Sequence, residues 1–254
     1  LLHFKPMPET VSAPGGDGIY IAIGGSLPSG GHQCGMDSEI SDAYHDSLDG
    51  KLSNSSIAHG QTNAAFYWEL GHEAREEITV YFAVSNTSQG AFDLLEDIRK
   101  TPFIEHLRAT ENWWSEWASR AALPDTNDDG ILKLSKRSLI TIRTGYDKRT
   151  GAIVASVTRQ PPYNCDWPRD GAFINYALDV AGYHDMVSKH NRFYSSVQRA
   201  GGTWGMCYYA DGVEAGPIIF EIDEVGLAIW TLWEHYNFTH DMDYLRDVYP
   251  SVVK

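Results

Sequence analysis

The sequence is poor in three things, and each shortage narrows the reading. It carries three cysteines, Cys34, Cys165 and Cys207, among 254 residues. These are too few and too scattered for a disulfide framework or a thiolate zinc site, so they read as free thiols and leave the redox compartment open. No apolar run approaches the ~18 residues of a membrane span, and the opening Leu1–Lys5 has neither an initiator Met nor a signal-peptide core, so an N-terminal extension is expected. Positive charge is scarce: 20 Lys and Arg against 34 Asp and Glu give a net charge of −14. That balance argues against nucleic acid and anionic membrane as partners and leaves neutral ligands unaffected. The ten histidines are dispersed without metal-ligand spacing such as His-x-x-x-His, and nothing resembles a Ser/His/Asp arrangement, so neither a metal nor a serine nucleophile is expected. Sequons at Asn54, Asn86 and Asn237 carry meaning only in a host that glycosylates secreted proteins.

What is present is apolar and aromatic. With 43% hydrophobic and 12% aromatic residues the chain can bury a sizeable core, as one large domain or two smaller ones. Two periodicities divide it. Residues 1–90 are rich in Gly, Ser and Asp, with strand-like runs at 18–23, 63–70 and 78–84 between turns, which predicts an antiparallel β-sandwich entered partway through. Residues 91–129 form a helical linker, with Phe92, Leu94, Leu95 and Ile98, and then Ile104, Leu107, Trp113, Trp114 and Trp117 after Pro102. From residue 130 onward helices are predicted near 131–144, 169–182, 185–200, 222–236 and 241–254, an alternation that suits an α/α toroid.

The densest chemistry lies in residues 163–170, Tyr-Asn-Cys-Asp-Trp-Pro-Arg-Asp. An aromatic face packs on the C–H face of a pyranose, and a guanidinium beside a carboxylate donates to and accepts from vicinal hydroxyls. Pro168 opens a helix whose Ala172, Phe173, Tyr176, Ala177 and Val180 share a face and whose end is marked by Gly182. This stretch resembles the Trp-x-Arg-Asp signature of glycoside hydrolase family 15, the glucoamylase and glucodextranase group. Three further segments agree in order and spacing. Thr150–Thr158 is similar to the family's "TGAIVAAPT", with Ser156 and Val157 as departures; Glu221-Ile-Asp-Glu224 is similar to the bacterial "QLDE" helix; Trp113–Trp117 resembles the Trp-rich helix joining the family's β-domain to its catalytic helices.

The resemblance implies a fold, a reaction and a pocket. The fold is a β-sandwich, a helical linker and the first part of an (α/α)6 toroid; a half-toroid of this kind is expected to expose an apolar edge and to aggregate on its own. The reaction is inverting, exo-acting release of terminal glucose from α-linked oligosaccharides or polysaccharides, without a cofactor. Trehalase-type cleavage and a non-catalytic carbohydrate-binding or regulatory role remain open beside it. Both catalytic glutamates are expected beyond Lys254, so no residue of this chain is assigned as acid or base. Arg169 and Asp170 would bind the terminal sugar's hydroxyls, Trp167 would form a wall, and Tyr163 would lie near the ring oxygen; the bland alternative for the Arg–Asp pair is a helix-end salt bridge. Asp223 is expected to shape the pocket and Trp204 to line it, while Glu224 reads equally as a pocket group or as first-turn helix charge. Asp125–Gly130 fits half a calcium loop but has Lys136 at the twelfth position, so a polar turn is expected. Oligomeric state and compartment are left open.

Overall fold

A computed structural model describes residues 2–4, 19–37, 40, 42–71, 77–157, 164–216 and 221–254. The chain divides into two compact units, Leu1–Thr110 and Glu111–Lys254.

The first unit is built on short antiparallel strands. Strands β1 (Leu2–Phe4), β2 (Ile19–Gly25) and β5 (Val80–Ser85) form one sheet in the order β1-β2-β5, and β3 (Gly31–Met36) pairs with β4 (Thr62–Tyr67) in another. A short helix, α1 (Ala43–Asp46), lies between β3 and β4 in sequence. Alternation along β5 buries Tyr81 and Ala83 and exposes Val80, Phe82 and Val84. Among the described residues the buried face does not meet a second sheet, which the sandwich expectation required. Helix α2 (Ser88–Arg99) follows β5 directly and closes that face with Ala91 and Leu95. Thr87 caps the helix by accepting from the Gly90 N–H at 3.1 Å, and Arg99 at its other end donates twice to the Gly25 carbonyl, at 2.6 and 3.0 Å. The linker expectation therefore misplaced α2, which is part of this unit's core. Strand β3 carried no strand signal, because its inward positions are Gly31, Gln33 and Gly35 rather than β-branched residues.

Helix α3 (Phe103–Ser119) runs across the division, and the second unit continues as α4 (Asp129–Thr144), α5 (Pro168–Val180), α6 (His184–Val197), α7 (Ile222–Thr239) and α8 (Met242–Val253). The Asp125–Gly130 stretch delivers a cap, with Asp128 accepting from the N–H groups of Gly130 and Ile131 at the start of α4. Helices α5 and α7 pack side by side; α6 packs on both of them, and α8 packs on α7 and α6. One core joins Tyr194, Trp204, Tyr208, Leu232, Tyr244 and Val248. A second joins Trp117, Leu139, Ile153, Leu178 and Val187 around Tyr183, whose ring stacks on Trp117 at 4.4 Å.

Helix α5 differs from its expected facing. Gly182 (φ 84°) ends it as foreseen, with the Tyr183 N–H returning to the Leu178 carbonyl and the Gly182 N–H to Asp179. Its buried side, however, is Ala172, Asn175, Leu178 and Asp179, whereas Phe173, Tyr176 and Val180 are exposed, the first two lying against Trp230 of α7. The apolar stripe misled because two buried positions carry polar side chains with partners elsewhere in the fold. Among the described residues, no helix is long and apolar enough to cross a membrane.

Candidate functional site

The segment 164–170 is held from behind by its backbone. Asp166 exchanges both main-chain hydrogen bonds with Tyr208 at 2.8 Å, and the Cys165 carbonyl accepts from Ala155. Trp167 then turns the chain in an extended conformation (φ −108°, ψ 122°), and Pro168 opens α5 at a position that needs no N–H partner. Gly171 follows where no side chain fits: a Cβ there would lie 1.8 Å from the Tyr194 hydroxyl. Helix α6 can thus approach the first turn of α5 closely.

Asp166, the carboxylate beside Trp167, is fully buried and fully used. Oδ2 accepts from the Ile153 N–H at 2.7 Å and faces His190 Nε2 at 2.8 Å, and Oδ1 accepts from the Tyr194 hydroxyl at 2.7 Å. Burial and this carboxylate push the Tyr194 phenol well above its ordinary range. The network continues inward through Asn175, Asn191, Thr231 and Tyr244, all buried. Each member finds a partner, as buried polar groups require. None of this was visible in the sequence, since the partners range from Ile153 upstream of Asp166 to Tyr244 far downstream and follow no local pattern.

The outer side of the segment meets the N-terminal turn of α7. Arg169 Nη1 donates to Asp223 Oδ2 at 2.6 Å and lies 3.7 Å from Glu221 Oε2; Nη2 lies 3.4 Å from Glu224 Oε1; and the Arg169 backbone N–H donates to Glu224 Oε2 at 2.5 Å. The guanidinium also covers Trp167, 5.6 Å from its ring centroid. Three carboxylates from one helical turn therefore converge on one arginine, whose side chain remains 36% exposed. The hydrogen bond from Arg169 holds Asp223 below the ordinary carboxylate range and raises the guanidinium in turn. Glu224 behaves oppositely: it is 0% exposed, and burial pushes it up to about 7 against the opposing pull of the Arg169 N–H and guanidinium.

Arg169, Trp167, Asp223 and Glu224 are brought together, and Glu221 joins them as a residue that sequence reading had noted only as the start of a motif. Asp170 stands in the first turn of α5, half-buried, with no ion-pair partner among the described residues. Trp167 is 5% exposed, so its contribution as a wall is confined to the rim beneath Arg169. Trp204 does not line an open surface: it is 0% exposed, packed in the core, and its indole N–H donates to the Tyr194 carbonyl at 2.8 Å. Tyr163 lies outside the described residues. Behind the segment, Cys165 and Cys207 share one buried cluster; burial raises both thiols, Cys207 to about 12, and all three cysteines are free.

An arginine clamped by carboxylates at the adjacent N-termini of two layered helices is a polar shelf on a glucoamylase-like fold. The chain is similar to a bacterial glucoamylase solved as a complex with acarbose, with a TM-score of 0.68 at 14% identity over 92% of this chain and 35% of that one. In sequence it is 26% identical over 250 residues to an uncharacterized glycosyl hydrolase from Methanocaldococcus jannaschii, covering 94% of this chain and 40% of the relative. The chain is thus a glycosyl hydrolase relative that spans about two fifths of that protein's length. No family model matches it.

Proposed function

We propose that this chain supplies the terminal-sugar binding part of an inverting, exo-acting α-glucan hydrolase. The observation that carries the reading is the convergence of Trp167 and Arg169 at the start of α5 with Asp223 and Glu224 at the start of α7, with Asp170 in the same first turn of α5. Asp223 and the Trp167 face pin the guanidinium before any ligand arrives, which lowers the ordering cost of binding. Donors not used by Asp223 then serve sugar hydroxyls, and the unpaired carboxylate of Asp170 accepts from them. The acid and base glutamates belong to the remainder of the whole protein, about 6.5 to 9.5 Å apart to admit the attacking water. The acarbose in the similar glucoamylase structure supports an α-glucan ligand.

The test is proton NMR of the whole protein mixed with maltotriose, isomaltotriose or trehalose. Initial release of β-glucose supports the reading and names the linkage. No release from any of the three sugars refutes it in favour of a binding or regulatory role.

A further inference from the structure

We propose that Asp179, His184 and His235 form a transition-metal site, distinct from the Arg169 shelf and independent of the carbohydrate reading. His184 Nδ1 lies 2.7 Å from Asp179 Oδ1, and His235 Nδ1 lies 2.9 Å from each oxygen of the same carboxylate. The three ligand atoms all fall within 4.8 Å of one another. They come from three helices: the last turn of α5, the first residue of α6, and the buried side of α7. Asp179 lies ten residues beyond Arg169, about 15 Å further along α5 at 1.5 Å per residue, so the cluster occupies the other end of the two helices that carry the shelf.

The donor set is the argument. Two imidazoles and one carboxylate suit zinc and its neighbours, whereas calcium and magnesium take oxygen ligands. The Asp179 carboxylate is buried and, among the described residues, has no Lys or Arg partner; imidazole nitrogens are what face it. His235 is fixed from its other side, with the Tyr244 ring edge-on at 4.5 Å. His184 is 43% exposed and stands at the rim, giving an ion a path in and a water a place as fourth ligand. In a tetrahedral zinc site with bonds of about 2.0 to 2.1 Å, neighbouring ligand atoms stand about 3.3 Å apart. The present 2.7 and 2.9 Å spacings open to that value by movements of about half an ångström, supplied by the rim histidine for the first and by a small turn of the Asp179 carboxylate for the second. Without metal both imidazoles donate Nδ1–H to the carboxylate; to ligate through Nδ1 each neutral ring moves that proton to Nε2, and because a protonated imidazolium cannot ligate, binding weakens as pH falls.

The experiment is to strip the protein with a chelator, equilibrate it with zinc, dialyse, and measure bound metal and melting temperature. A parallel titration with cobalt(II) reads coordination geometry from the visible spectrum. The expected result is one zinc retained per chain, a higher melting temperature, and the intense absorption of tetrahedral cobalt. His184→Ala, at the exposed rim, should melt like the wild type without metal and retain no zinc; Asp179→Asn should lose the site as well. No zinc retained by the wild type, or one zinc retained by His184→Ala, overturns the proposal.

Discussion

Replacing Glu224 by Gln should change how stability depends on pH. Glu224 is 0% exposed, and burial raises it from an ordinary 4.5 to about 7. The folded state therefore holds its proton more tightly than the unfolded chain does. Its favourable contribution is fully present below the unfolded value and is lost as pH rises through about 7. The gap between the two values amounts to about 3 kcal/mol, of which 2–3 kcal/mol falls between pH 5 and pH 8. The groups facing it are Arg169 on α5, which favours its charged form, and Glu221 and Asp223 on its own turn, which oppose it, with Tyr194 and Cys207 within electrostatic reach. A Gln side chain still accepts from the Arg169 N–H and does not titrate. Urea unfolding of both proteins at pH 5, 6, 7 and 8 isolates the effect, because every other titrating group cancels in the difference between them. Glu224→Gln should gain about 2–3 kcal/mol relative to the wild type on going from pH 5 to pH 8. A difference that stays flat across the series, or falls, would show that Glu224 is ionised in the folded protein at pH 5 and that the desolvation argument is wrong.

Four further outcomes are expected. Arg169→Ala in the whole protein should lower kcat/KM by at least about 2 kcal/mol in transition-state binding, measured on the sugar it cleaves; near-wild-type kinetics would remove Arg169 from the pocket. Asp166→Asn should destabilise by about 3 kcal/mol in urea, since it places an amide against the Ile153 N–H and His190 and leaves a buried pair broken. Gly171→Ala should cost about 1–3 kcal/mol through the clash with the Tyr194 hydroxyl, and Tyr194→Phe in the same chain should recover part of that loss. With a thiol reagent at pH 8, half-buried Cys34 should react first, and Cys165 and Cys207 only on unfolding; early labelling of Cys207 would contradict its burial.

The helices were legible because their signals are local. Pro168 and Gly182 bracket α5, Asp128 caps α4, and apolar residues recur at helical spacing through α3, α7 and α8. Arg169 and Asp223 were each singled out because both lie in compact motifs at helix starts, whereas their pairing with each other was not foreseen. The rest depends on packing that no window of sequence contains. Trp204, between two helices in an aromatic stretch, reads equally as lining or core, and only the Tyr194 carbonyl ten residues away decides. Asp166 gives no local signal of its role because His190 and Tyr194 reach it from α6. The buried side of α5 was misassigned for the same reason: Asn175 and Asp179 are inward because Asn191, Thr231 and His235 await them on other helices.

The buried polar chain behind the clamp has a direction. The Thr231 carbonyl can only accept, so the Asn191 atom facing it must be nitrogen and its oxygen must turn toward Asn175. Asn175 then presents its own nitrogen to Asn191 and its oxygen to His190, which leaves Nδ1 of that ring as a donor. A proton accordingly occupies the contact between His190 Nε2 and Asp166. One main-chain carbonyl on α7 thus dictates the orientation of three successive side chains and, through them, the hydrogen bond that anchors the Trp167–Asp170 turn. Reversing any link reverses all of them, so Asn191→Asp, nearly identical in shape, should be tolerated far less well than a change of similar size on an exposed face.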